Sequence, residues 1–351
     1  MAVATNSIDV DYKGTYAASI LLEPIFRSDE IMSHYTVLPN VKYKQNVLLA
    51  GGLNKIVMAN AGCNSADQSG TGLTTSFAID DKVIEVKEVA VKMSQCFDTF
   101  RDEVIVESYK NGINMPDLSG IELSRVITDR VQKGIAQDIV RVMWGGNPAS
   151  SNVTYKWTTG LFELMNGSVT ATTVAKSGGT GHTVVGGTLV NADVLNLLTD
   201  VFDKAPANLQ QTPASEKKMF VTPNIYNAYY GSLTLVAASG AVEAGRAEAQ
   251  SGAGYNRLFF RGVEVVPMYE WDTIMTDLTP GIFSTGGSNY KNGVVYAAKS
   301  NLMIGSDVNA PETQLKMFYD AVTEKMYIRS YFKIGYQYGY DSLIHAGFIK
   351  N

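Results

Sequence analysis

The chain has 351 residues, 45% of them hydrophobic and 18% charged, which fits a folded protein of two or three lobes and excludes a disordered or collagen-like chain. Its formal net charge is −5 and no block of basic residues occurs, so a tight, sequence-reading nucleic-acid binder is excluded while weak, patchy contact with a polyanion stays open. Cys63 and Cys96 are the two cysteines, too few for a disulfide framework and expected to be free thiols, with a single bond between them as the alternative; no apolar run is long enough to span a membrane, and no signal peptide is read at the N-terminus.

Residues 1–33 read as an arm. Its apolar face, Ile20 to Leu22 with Ile25 and Phe26, is too short to build a core and must lie on another surface. Residues 34–100 read as two strands flanking a polar tip, which runs from Asn60 to Ser76 and includes Cys63, Asp67 and Thr71. On the returning flank Ile84 and Val86 alternate with Glu85 and Lys87, after which Val89, Val91 and Met93 continue on the other parity. Such a phase slip flips the buried face, so a bulge or bend is predicted near Lys87-Glu88. An isolated two-stranded finger is marginal in water and needs a partner surface.

Residues 117–143 carry the strongest helix signal. Ser119 and Glu122 fit a capping box, and Leu123, Ile127, Val131, Ile135, Ile139 and Val142 draw one apolar stripe. The glycines at 145 and 146, then Asn147-Pro148, end it. Residues 149–190 are rich in Gly, Ser and Thr, with short strand-like runs such as Val153 to Trp157. A second helix is predicted over 191–204, a buried strand over 218–221, and a helix from Asn224 to Leu233 behind Thr222-Pro223. Residues 239–254 are read as a surface loop. Leu258 to Pro267 reads as two strands about an Arg-Gly turn, and Val294 to Ala298 as a further strand.

The C-terminus gives the clearest strand pattern. Two runs, 312–322 and 326–340, flank Thr323 to Lys325, and in the second Met326, Ile328, Phe332, Ile334, Tyr336, Tyr338 and Tyr340 share one parity. A strand of that length covers about 50 Å, which implies an elongated subunit. Arg329 and Lys333 lie on its other parity and are candidate interior-facing basic residues.

Catalytic patterns are missing. There is no phosphate-binding loop with its lysine, no HExxH, no CxxC and no GxSxG, and Val184 stands where a dinucleotide-binding loop starting at Gly179 needs its third glycine. The three histidines, His34, His182 and His345, fall in unrelated segments. No catalytic, cofactor-binding or metal-ligating residue is therefore assigned.

The order of elements resembles the HK97-type major capsid proteins of tailed bacteriophages over nearly the whole chain. The resemblance is carried by Ile121 to Asn147 as a spine helix with a glycine-rich exit, Lys218 to Tyr226 as the strand and helix of an axial domain, and Arg261 to Pro267 as the hairpin after it. Asn292 to Gly305 resembles the returning strand, and Tyr331 to Phe348 a single final strand. It implies an α+β fold with an N-terminal arm (1–33), an extended β-hairpin loop (34–100), a peripheral domain with the spine helix (101–190), an axial α/β domain (191–305) and a return to the peripheral domain with long C-terminal strands (306–351). It also implies a non-enzymatic subunit that forms hexamers and pentamers of an icosahedral shell around double-stranded DNA. Assembly would take place in the host bacterial cytoplasm, with portal, decoration and separate scaffolding proteins as partners and only weak contact with the packaged DNA. Asn60, Cys63, Asp67, Thr71, Ile25 and Phe26 are its candidate subunit-interface residues. A nanocompartment shell of the encapsulin type, or a hydrolase with an unrecognised site, are the alternatives.

Overall fold

The computed structural model describes residues 9–13, 34–50, 79–96, 122–166, 171–175, 189–238, 258–277, 291–307, 314–320, 323 and 325–350. In chain order these form β1 (Asp9–Lys13), β2 (Thr36–Pro39), β3 (Lys44–Ala50), β4 (Ile79–Glu85), β5 (Lys87–Cys96), the long helix α1 (Glu122–Gly145), α2 (Leu161–Met165) and β6 (Ala171–Ala175). They continue as α3 (Asn191–Asp203), α4 (Ala207–Gln211), β7 (Lys217–Val221), α5 (Pro223–Ala238), β8 (Leu258–Phe260), β9 (Val263–Pro267) and α6 (Tyr269–Asp277). The last five strands are β10 (Gly293–Ala298), β11 (Leu302–Ser306), β12 (Gln314–Asp320), β13 (Lys325–Tyr338) and β14 (Ile344–Lys350).

The alternating C-terminal run organises the first sheet. β13, 14 residues long, pairs antiparallel with β12, β11 and β5, and the sheet is completed by β1 on β12 and β2 on β11. Ile328, Phe332, Ile334, Tyr336 and Tyr338 are buried on one face, where Val131, Ile135, Ile139 and Val142 of α1 meet them. The Tyr336 hydroxyl, held well above its ordinary pKa by burial, donates to the Ile139 carbonyl at 3.2 Å. Helix α1 has 24 residues, about 36 Å at the usual rise. The side chains of Leu123 and Ile127 and the expected capping box lie outside the described part.

Towards its C-terminal end α1 is buried on more than its stripe. Val140, Met143 and Trp144 are buried as well, and Trp144 packs with Trp271, Phe162 and Phe220 at centroid distances of 4.9, 5.1 and 5.6 Å. Its indole donates to the Tyr35 hydroxyl at 3.0 Å, tying the segment before β2 to the helix. The glycine exit is a backbone-to-backbone contact: Gly160 N–H donates to the Gly146 carbonyl at 2.8 Å, and a Cβ on Gly160 would stand 2.4 Å from the Gly146 nitrogen. Arg141 grips one Glu270 oxygen from two guanidinium nitrogens at 3.0 and 2.9 Å, fixing α6 beside α1.

The second sheet, ordered β6-β14-β10-β7-β9-β8, has no bare face at its centre. Every residue of β7 and β10 is buried. Phe220, Val295, Ala297 and Ala346 join the core beneath α1 and α6, whereas Met219, Val221, Val294 and Tyr296 join a separate core under α3 and α5. Between β8 and β9 the tight turn falls where it is expected, with Arg261 and Gly262 both at positive φ, 48° and 79°. Arg261 is held there by Asp203 and by stacking over Phe202 and Phe260.

Two local expectations are corrected. Val153 to Trp157 is a series of turns, not a strand. Asn147 and Asn152 each accept a backbone N–H two residues on, at 2.8 and 3.0 Å, and such local bonds outcompete strand pairing. The run from Tyr331 to Phe348 is not one strand either: β13 ends at Tyr338, and β14 lies between β6 and β10 in the second sheet. Asn301 makes the break, accepting the Tyr340 N–H at 2.7 Å and donating to its carbonyl at 2.9 Å. Helix α5 also runs past Leu233 to Ala238.

Candidate functional site

The phase slip predicted near Lys87-Glu88 is present one residue earlier. Strand β4 pairs with β3, the chain breaks at Val86, and β5 then pairs with β13 along its whole length. Ile84 and Val86 are buried with Val41 and Met303 in a small third core. That core sits on the face of the first sheet opposite α1, because Met303 and Gly305 pair directly with Gln337 and Gly335 on the parity that points away from the helix. The paired glycines make a notch. A Cβ on Gly335 would stand 2.1 Å from the Glu85 carbonyl oxygen, and one on Gly305 2.8 Å from the Ile84 side chain. The root of the β3–β4 finger is thus seated where side chains have been removed from both strands, and Gln337 donates to the Val83 carbonyl at 3.0 Å to lock it.

Among the described residues nothing packs on the other side of the finger root. Lys44, Asn46 and Leu48 pair across from Glu85, Val83 and Asp81 on one outward face. Leu48 is 72% exposed and Val83 41%, between a Lys44–Glu85 ion pair at 3.1 Å and an Asn46–Asp81 hydrogen bond at 3.1 Å. A second uncovered surface lies along β5. Its 10 residues pair, among the described residues, only with β13, and an unpaired edge of that length is a template for another strand. Next to it runs an apolar groove of about 440 Å³ lined by Val89, Val91, Ile135, Ile139, Trp157 and Phe332. Elsewhere on the described surface Tyr269 is 70% exposed and Tyr230 47%.

Two carboxylate-bearing residues belong to the lining of the groove, Asp138 and Glu88. Asp138 stands at its rim with its pKa raised by burial and paired with Arg141 at 2.9 Å. Glu88, the other carboxylate-bearing residue of the lining, alternates onto the opposite sheet face beside Lys333. His345 is buried on β14 across from Tyr296. Burial first, and then the Lys204 charge, push its imidazole below the ordinary value, and burial pushes the Tyr296 hydroxyl up to about 12. Among the described residues no group of three or more His, Cys, Asp or Glu is arranged to hold a metal ion.

Of the residues singled out in the sequence, Asn60, Cys63, Asp67, Thr71, Ile25 and Phe26 lie outside the described residues. Arg329 and Lys333 do share one face of β13, the face away from α1; Arg329 is exposed and Lys333 half-buried. Sequence reasoning missed Leu48 and Val83 as a joint patch, and the Gly305–Gly335 notch. A glycine in each of two strands was the only signal for the notch, and pairing them requires the register.

No family model matches this sequence, and no curated protein matches it. Solved structures do match. A chain of the satellite phage P4 procapsid superposes with a TM-score of 0.56 at 10% identity, over 95% of this chain and 90% of that one. A chain of the capsid of Myoviridae phage XM1 gives 0.51 at 10% identity, over 91% of each. The chain has the HK97-like capsid fold. A chain from Mycobacterium phage Adephagia agrees, with a TM-score of 0.50 at 12% identity over 97% of this chain and 91% of that one.

Proposed function

We propose that this chain is the major capsid protein of a tailed phage, whose copies assemble as hexamers and pentamers into an icosahedral shell around double-stranded DNA. The observation that carries this reading is the end-to-end likeness: the capsid fold spans nine-tenths or more of both partners in each superposition given above, so the fold is the whole chain and not a module within it.

The uncovered surfaces favour the same reading on physical grounds. Burying one large apolar side chain such as Leu48 is worth about 1.5–3 kcal/mol, and a bare strand edge stays a liability unless something pairs with it. Among the described residues Leu48, Val83 and the β5 edge are left open, and neighbouring copies would supply that stabilisation. Copies related by symmetry supply such contacts many times over. The proposal also assigns no catalysis to the chain, places it in the virion, and includes scaffolding, portal and decoration proteins as partners.

The test is size-exclusion chromatography and negative-stain electron microscopy of the full chain, alone and with its own scaffolding and portal proteins. Closed shells are the expected result. A protein that stays monomeric under all those conditions defeats the reading.

A further inference from the structure

We infer that the turn Asp341–Leu343 is a clasp that couples the seating of the finger root on the first sheet to the docking of α4 beside the second, so that loosening either end loosens the other. The coupling lies within one copy of the chain and does not depend on whether copies form a shell. The turn follows β13 and precedes β14, so it stands where the chain passes from one sheet to the other. Its entry is pinned. Besides the two bonds between Asn301 and Tyr340, the Asn301 carbonyl accepts the Gly339 N–H at 3.0 Å, and the Leu343 N–H closes the turn onto the Tyr340 carbonyl at 3.2 Å.

The finger reaches this turn from its sheet-facing side, which register gives to Val47, Leu49, Lys82 and Ile84. The Lys82 ammonium pairs with Asp341 at 2.7 Å and stands 3.7 Å from the ring centroid of Tyr338, the last residue of β13. Leu49 ends over Gly339: a Cβ on that glycine would stand 3.4 Å from the Leu49 Cδ2 and 3.0 Å from the Asn301 Oδ1. Ser342, the next residue after Asp341, meets a different element. Its hydroxyl accepts from the side-chain amide of Asn208 in α4 at 3.2 Å. Helix α4 in turn closes the cover of the second sheet. Leu209 is fully buried in the second core, which Leu343 also packs against. The Gln210 amide donates to the Asp203 and Ala205 carbonyls at 3.2 and 3.0 Å, at the end of α3, and the Gln210 carbonyl accepts the Lys217 ammonium of β7 at 3.0 Å.

Two adjacent residues therefore hold two distant parts of the chain. Consecutive Cα atoms are about 3.8 Å apart, so Asp341 and Ser342 cannot be displaced independently. A half-buried Lys82 with an exposed Asp341 adds little to global stability, which lets the clasp open without unfolding either sheet. Such coupling is reciprocal: whatever seats the finger steadies α4, and whatever holds α4 seats the finger. A contact made on the outward face of the finger is in this way felt at α3 and α4.

The test is hydrogen–deuterium exchange of the unassembled full chain, read by mass spectrometry in peptides covering β4 and α4. Lys82→Met removes the charge and keeps an unbranched side chain. It should speed exchange about two- to fivefold in β4, the range for an ion pair of this exposure, and raise it in α4 as well. Asn208→Ala should act from the other end, raising exchange in α4 and with it in β4. The double variant should show less than the product of the two single effects at each end, because the first change already opens the clasp. Lys44→Met, which removes the Lys44–Glu85 pair on the outward face of the finger, should leave α4 unchanged, and peptides from β7 and β10 should exchange as in the wild type throughout. Exchange that rises only at the mutated end, fully multiplicative effects in the double variant, or an equal rise in α4 with Lys44→Met overturns the clasp. Faster exchange across β7 and β10 marks general destabilisation and overturns it too. Should Lys82→Met fail to fold, Asp341→Asn breaks the same ion pair with little change of shape, and the same outcomes decide.

Discussion

The two sheets handle the same problem in opposite ways. The sheet built on β7, β10 and β14 is covered on both faces by helices and core of its own subunit, and the strands at its centre are buried at every position. Among the described residues, the sheet built on β13 has one face on α1, a second face covered only where the finger root sits in the Gly305–Gly335 notch, and an unpaired edge at β5. Among the described residues one sheet completes its burial inside the chain and the other does not. Side chains of the first kind should therefore control whether the monomer folds, and those of the second whether folded monomers join.

The largest effect should come from the shared aromatic core. Phe220 is fully buried and stacks on Tyr35 at 5.9 Å; Phe220→Ala should cost about 3–5 kcal/mol in urea unfolding of the unassembled chain. A loss below about 1 kcal/mol would mean that this core is not what holds the two sheets together. Gly335→Ala comes next. Its Cβ has no room beneath the Glu85 carbonyl, and overpacking of this kind costs about 1–3 kcal/mol. A crystal structure of the variant should show the finger root lifted from the sheet while the β7–β10–β14 core is unchanged.

Much of this division could be read from the residues before any geometry. The stripe Val131, Ile135, Ile139 and the single-parity run Ile328 to Tyr338 are local periodicities, and each predicts its own buried face. The slip from Val86 to Val89 even located the crossing from finger to sheet within about two residues. What could not be read depends on contacts between distant segments. Asn301 ends β13 by capturing Tyr340 from 39 positions away, and nothing around Tyr340 announces it. The Gly305–Gly335 notch exists only once register aligns two separate strands. Val153 to Trp157 misled because strand-forming side chains say nothing about the asparagine-bonded turns around them.

A smaller and reversible effect is expected from pH. His345 has a folded pKa below its ordinary 6.5 because it is buried and faces the Lys204 charge. The unfolded chain therefore takes up the proton first, so the stabilisation from a neutral His345 is complete above about pH 6.5 and is lost as pH falls through that value. Melting temperature should drop between pH 7.5 and 5.5, and His345→Gln should flatten that part of the profile. A profile identical in the variant would remove His345 from the acid response.

The smallest effect on the monomer should come from the outward finger face. Leu48→Ser/Val83→Ser should shift unfolding by no more than about 0.5 kcal/mol, as surface changes do, while reducing shell yield in sedimentation severalfold. Normal yield would show that this face is not an intersubunit contact.

Electron cryomicroscopy of the particle formed by the full chain tests the division between the sheets most directly. The expected map is an icosahedral shell in which density from a neighbouring copy covers Leu48 and Val83 and lies along the β5 edge. A shell in which both surfaces face solvent, or a chain that forms no shell with its own scaffolding and portal proteins, contradicts it.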